Sequence, residues 1–149
     1  MTNHLTRISR RARWAGLAAI TLIVIGAASC SSDTLTSPTS ASQLNGTWRL
    51  FQMTQGGAVH NEELTAGRFN VTFAADRLDA KADCNTCTGP ATLSGSTLTV
   101  TALACTRAAC ASAPVDTRFT GVLNGAVTVR INNRLLQLNS AQGELRFER

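Results

Sequence analysis

Phe69-Asn70-Val71-Thr72-Phe73-Ala74-Ala75-Asp76-Arg77-Leu78-Asp79-Ala80-Lys81-Ala82 decides the fold of this chain. Phe69, Val71 and Phe73 alternate with Asn70 and Thr72, the two-residue period of a strand with one buried and one wet face. Ala75-Asp76-Arg77 turns the chain, and Leu78, Ala80 and Ala82 repeat the alternation on the way back. The pattern extends outward in both directions. Gly46-Thr-Trp48-Arg-Leu50-Phe-Gln-Met53 predicts a first strand, followed by a polar, Gly-containing loop through about Gly67. Residues 91–94 and 96–102 flank Gly95, which suits a hairpin needing positive φ. Val127, Val129 and Ile131 alternate ahead of Asn132-Asn133, read as a type I′ turn, with Leu136 and Leu138 on the return strand. Leu145 and Phe147 complete the sheet after a turn at Gln142-Gly143. One segment departs from the period of two: Val115, Phe119, Val122 and Leu123 form a single stripe of a short helix. Ser112 is placed to cap that helix, and Pro114 suits its first turn. The expected fold class is α+β, an antiparallel sheet of seven or eight short strands with one packed helix.

The chain has 149 residues, a formal charge of +5 and a pI near 9.5. Its positive charge is concentrated at the front, because Arg7, Arg10, Arg11 and Arg13 precede the first acid, Asp33. From Cys30 onward ten basic residues face nine acidic ones, so that part is close to neutral and nucleic acid is not an expected partner. The basic stretch leads into apolar residues 14–26, then Ala27-Ala28-Ser29-Cys30, the layout of a secretory signal. An apolar core of about a dozen residues falls short of the roughly 20 that cross a bilayer as a helix. Ala27-Ala28-Ser29-Cys30 resembles a bacterial lipobox. That resemblance implies residues 1–29 as a lipoprotein signal peptide, cleavage before Cys30, and acyl chains on its thiol and amine. Two or more chains hold a protein stably at a membrane. Ser31, where an Asp would retain the protein at the inner membrane, implies the periplasmic face of the outer membrane in a Gram-negative host. Residues 30–43, the anchor Cys and a Ser/Thr-rich stretch, read as a flexible tether. The folded domain is expected over 44–149.

Four further cysteines stand at Cys84, Cys87, Cys105 and Cys110. Outside the cytosol an even set of thiols favours disulfides, whereas the same spacing inside it would favour a metal. A reactive dithiol at Cys84 and Cys87 is the other reading. A hairpin turning at Gly95 places Cys105 opposite Cys84 or Thr86, so Cys105 is expected to bond a member of the first pair. Trp48 reads as a core aromatic, with ligand stacking as the alternative.

Three stretches, in order, resemble the META/HslJ family of small bacterial envelope domains. They are Leu44-Asn-Gly46-Thr47-Trp48-Arg-Leu50, Cys84-Asn85-Thr-Cys-Thr-Gly89 and Thr106-Arg107-Ala-Ala-Cys110. The resemblance covers roughly residues 44–148. It implies a twisted, partly closed antiparallel sheet with a helix, and it favours Cys84 bonded to Cys110, leaving Cys87 with Cys105. Cys84 with Cys105 stays open as an alternative. The family pattern has Gly where this chain has Asp83, and Cys87 and Cys105 are additional to its usual two cysteines. Family members are associated with stress resistance or virulence, without a common catalytic activity.

Asn85 and Gly89 read as loop-shaping residues, Asn85 by bonding local backbone and Gly89 by permitting positive φ. Arg107 is a solvated or carboxylate-paired residue, or an anion ligand. His60 adjoins Glu62 and Glu63 in a loop without a third group to orient a base, and no P-loop, GxGxxG, HExxH or GxSxG occurs. The expectation is therefore no enzyme, metal or cofactor. The chain reads as a lipid-anchored protein of the bacterial cell envelope that binds an envelope component, or supports envelope integrity and stress resistance. Beyond the membrane at Cys30, its expected partners are an envelope protein or a small apolar ligand. A thiol-disulfide or metal-handling protein using Cys84 and Cys87 is the alternative.

Overall fold

A computed structural model describes residues 34–61, 64, 67–110 and 113–149. The signal-like stretch, Cys30, Glu62, Glu63 and Ser112 lie outside the described residues. The strands are β1 (Gly46–Gln55), β2 (Ala58–Val59), β3 (Phe69–Ala74), β4 (Arg77–Ala82), β5 (Asn85–Ser94), β6 (Thr97–Val100) and β7 (Ala104–Cys105). A helix, α1 (Ala113–Leu123), leads into β8 (Gly125–Ile131), β9 (Leu135–Ser140) and β10 (Gly143–Glu148).

All pairings are antiparallel, and the main path runs β1-β3-β4-β5-β6-β8-β9-β10. β10 then returns to β1, with Leu50 opposite Phe147 and Met53 opposite Leu145, so eight strands close into a barrel. The sheet is thus more closed than the partly closed sheet expected. Closure leaves neither terminal strand as an unpaired edge. Gly143 permits the seam, because a Cβ there would collide with the Thr54 carbonyl, and its φ of 150° lies where side chains are rarely tolerated. β2 is a short extension of β1, and β7 lies on β5 beside the end of β6.

Alternation sends one set of side chains inward, as the sequence predicts for Phe69, Val71 and Phe73 and for Leu78, Ala80 and Ala82. Trp48, Phe69, Phe119 and Phe147 are each 1% exposed or less. Trp48 donates its indole N–H to the Leu44 carbonyl at 2.7 Å, which satisfies the one polar atom that its burial strands. The predicted helical stripe of Val115, Phe119, Val122 and Leu123 is wholly buried. Phe119 meets Phe69 edge-on at 5.4 Å between ring centroids and Phe147 at 6.3 Å. The helix therefore plugs the barrel at the end where β3 begins and β4 finishes. Leu44, which follows a 3₁₀ turn at Ala41–Gln43, is buried at the opposite end.

Two local expectations need correction. Neither Asn132 nor Asn133 has positive φ, so their turn is not type I′. Instead the Asn132 side-chain oxygen accepts from the backbone N–H of Arg134 (2.9 Å) and Leu135 (2.7 Å), and the tip moves one residue on. Part of the stretch read as tether is also fastened to the barrel. Thr36 forms a bridge with Ile131, Pro38 is buried, and the Gln43 side chain accepts from the Thr39 and Ser40 amides.

Candidate functional site

Cys84-Asn85 and Thr106-Arg107-Ala-Ala-Cys110 are far apart in sequence but form one structure at the plugged end. β5 begins at Asn85, so Asn85 and Gly89 lie within a strand and not in a loop. Asn85 is 6% exposed and uses both ends of its amide. Its oxygen accepts from the Ala108 N–H at 2.8 Å and the Thr106 hydroxyl at 3.0 Å. Its nitrogen donates to the Ala108 carbonyl at 3.2 Å and to the Asp116 carboxylate, on the first turn of α1, at 3.1 Å. The Thr106 hydroxyl in turn accepts from the Thr86 amide at 3.0 Å. A single buried side chain thus holds the start of β5, the strap of residues 104–110 and the helix in register. Full satisfaction of both amide atoms removes the penalty for burying them.

Two disulfides reinforce the same strap. Cys84 is bonded to Cys110 and Cys87 to Cys105. Cys87 and Cys105 are direct cross-strand partners, Cα to Cα 4.0 Å, whereas the symmetrical hairpin predicted Cys84 or Thr86 opposite Cys105. The difference arises at Ala102, whose φ of 50° interrupts the strand between β6 and β7 and shifts the register. Gly89 serves a different purpose from the one expected of it. Its φ is not positive, but a Cβ would stand 3.0 Å from the Thr101 carbonyl and 3.2 Å from the Leu103 Cα, so it lets the chain cross closely over β5.

Asp83, at the position where the family pattern has Gly, takes the left-handed conformation at φ 60° and is 2% exposed. Asp tolerates that region better than most residues. Its carboxylate pairs with Arg68, and its amide donates to the Arg68 carbonyl at 2.9 Å. This pairing of a buried carboxylate with a half-exposed guanidinium had no sequence signal beyond the Gly-to-Asp departure.

Two depressions lie on either side of the β7 strap. One, of about 650 Å³, runs along the outer faces of β3, β4 and β5 and is lined by Asn70, Arg77, Asp79, Lys81, Thr86 and Thr88. Thr88 donates to Asp79 at 2.6 Å and Arg77 does so at 3.1 Å, and together they hold that carboxyl below the usual carboxylate range. The second, of about 570 Å³, lies between the strap and α1, with Thr106, Arg107, Asp116, Thr117 and Thr120 on its walls. Arg107 is exposed there, without an ion pair among the described residues. Hydroxyls, amides and guanidinium groups of this kind suit a polar or anionic ligand. His60 is half-buried in its loop, with its amide donating to the Met53 carbonyl at 2.9 Å. Among the described residues no three His, Cys, Asp or Glu side chains are grouped to hold a metal ion, and no helix is long and apolar enough to cross a membrane.

The META domain family matches residues 41–149. No curated protein matches the chain. Among solved structures, the chain is similar to a Burkholderia xenovorans protein solved by NMR, at 18% identity and a TM-score of 0.63 over 95% of this chain and 98% of that one. It is also similar to a second protein solved by NMR, at 21% identity and a TM-score of 0.58 over 74% and 95% of the two chains. A lipocalin-like protein from Bacteroides uniformis aligns at 17% identity and a TM-score of 0.48 over 72% and 98%. The likenesses to the two proteins solved by NMR concern the fold, and the family match covers the whole barrel and its motif strap. The chain belongs to the META domain family.

Proposed function

We propose that the mature protein is a non-enzymatic, lipid-anchored domain of the bacterial cell envelope. In this reading it is held at Cys30 and binds an envelope component on the polar outer surface flanking the β7 strap. The observation that carries the reading is the pair of bridges Cys84–Cys110 and Cys87–Cys105. Such bonds persist in oxidising compartments, which agrees with the export signal and the Cys at its cleavage site from an independent direction.

The barrel interior is filled by Trp48, Phe69, Phe119 and Phe147, so the reading puts recognition on the outside and favours an envelope protein or polar envelope polymer over an enclosed apolar ligand. The proposed role is support of envelope integrity under stress, on the periplasmic face of the outer membrane in a Gram-negative host. Cys84 and Cys87 are bonded to different partners, which argues against their use as a redox dithiol.

Labelled palmitate fed to cells expressing the full chain tests the anchor. Incorporation into the membrane-bound protein, lost in Cys30→Ser together with membrane attachment, is the expected result. An unlabelled, freely soluble wild-type protein would overturn the proposal.

A further inference from the structure

β8 outruns its neighbour β6 at the barrel end opposite the helix. The Thr97–Thr128 pair and the bond from the Val129 amide to the Ser96 carbonyl are the last links between them. The N–H and C=O of Ile131 are left on an open edge, and unpaired backbone groups there need a partner. Thr36 supplies both, accepting from the Ile131 amide at 2.7 Å and donating to its carbonyl at 3.0 Å. Pro38 and Leu44 bury their side chains just beyond. The chain is therefore fastened to this end of the barrel six residues after Cys30, a distance that covalent geometry limits to about 20 Å. That is well short of what a free thirteen-residue tether would allow.

The same end carries Arg130, Arg134 and Arg149, none within ion-pair reach of a carboxylate among the described residues. Arg149 joins the cluster directly: its amide donates to the Arg134 carbonyl at 3.2 Å and its Nε to the Asn133 carbonyl at 2.8 Å. Its guanidinium also lies 4.1 Å from the centre of the Trp48 ring. At this end Glu148 faces Arg49, and Asp76 and Asp79 are the other acids, Asp79 paired with Arg77. Resting on the lipid anchor proposed above, we infer that this barrel end seats on the membrane itself. Arg130, Arg134 and Arg149 then face anionic headgroups, and the strap and helix end, with Arg107, points away toward the partner. A guanidinium near an anionic surface strengthens attachment about five-fold.

The test uses the full lipid-anchored protein in vesicles of phosphatidylglycerol and phosphatidylethanolamine, and in vesicles of phosphatidylcholine alone. Phenylglyoxal modification of each arginine is read by peptide mass spectrometry. Arg130, Arg134 and Arg149 should lose reactivity on the anionic vesicles relative to detergent, while Arg107 keeps its detergent rate. A Gly/Ser insertion after Ser32 that doubles the distance from Cys30 to Thr36 should relieve most of the protection on phosphatidylcholine, where tether length alone holds the face down. Equal protection of Arg107 and Arg134, or protection of neither, overturns the inference. The lipid mass on Cys30, measured in the same digest, separates that outcome from failure of the anchor: a lipidated Cys30 with unprotected arginines removes the membrane face and leaves the anchor standing.

Discussion

Removing the two disulfides in turn and together should give losses that do not add. Cys87–Cys105 closes a loop 18 residues long inside the 26-residue loop of Cys84–Cys110. In the chain-entropy account, the inner bridge alone is worth about 3.2 kcal/mol and the outer alone about 3.5 kcal/mol. Once the inner bridge exists, the outer one closes an effective loop of only about nine residues and adds about 2.6 kcal/mol. By the same reasoning, removing the inner bridge while the outer remains costs about 2.3 kcal/mol. Removing both should then cost about 5.8 kcal/mol, about 1 kcal/mol more than the two separate losses combined. Cys84→Ser/Cys110→Ser suits the more exposed outer pair, and Cys87→Ala/Cys105→Ala suits the inner one, since Cys87 is 3% exposed. Urea unfolding of the three variants and the parent, followed by Trp48 fluorescence and far-UV circular dichroism together, measures the four stabilities. An inner-pair variant as stable as the parent, or a four-cysteine variant that loses less than the two separate losses combined, would refute the nested-loop reasoning.

Asn85→Ala should lower stability by about 2 to 3 kcal/mol in the same assay, because it leaves the Ala108 amide and Thr106 without their buried acceptor. Hydrogen exchange of the 104–110 strap should rise more than that of β8 or β9. Phe119→Ala, which removes the plug from between Phe69 and Phe147, should cost about 3 to 5 kcal/mol by calorimetry or urea titration. Asp79 should titrate below the ordinary carboxylate range by carboxyl NMR, and Thr88→Val should move it back up. A lowered folded-state value means its contribution to stability is complete above the unfolded carboxylate range and lost as pH falls through the lowered value. The group is exposed, so the effect on unfolding should be small.

The parts of the fold legible in the sequence are those where one residue type decides the local structure. Phe69, Val71 and Phe73 could face inward only in an extended chain, and Val115, Phe119, Val122 and Leu123 could share a face only on a helix. Closure of the barrel was not legible, because it depends on β10 reaching β1 across almost the whole chain, and the local sign of it is one glycine at the seam, Gly143. β5 was only half visible. Asn85-Thr-Cys-Thr-Gly-Pro lacks the apolar alternation of a strand, because its inward positions hold a hydrogen-bonded Asn, a bridged Cys and a Gly crossed by other backbone. The docking of Thr36 was invisible for a similar reason: a Ser/Thr stretch with little to bury reads as coil, and what fixes it is an open backbone edge on β8. The motif strap was legible as a set of residues and not as a mechanism. Nothing in Asn85 alone says that it will bond two separate segments.

The central claim is a bridged barrel carried on a lipid at Cys30. Intact-mass spectrometry of the protein extracted from membranes, before and after alkylation under non-reducing conditions, tests it most directly. The account predicts a chain beginning at a lipid-modified Cys30, lighter by four hydrogens for two disulfides, with no thiol open to alkylation. A chain still beginning at Met1, or one that takes up alkylating groups at Cys84, Cys87, Cys105 and Cys110, would contradict it.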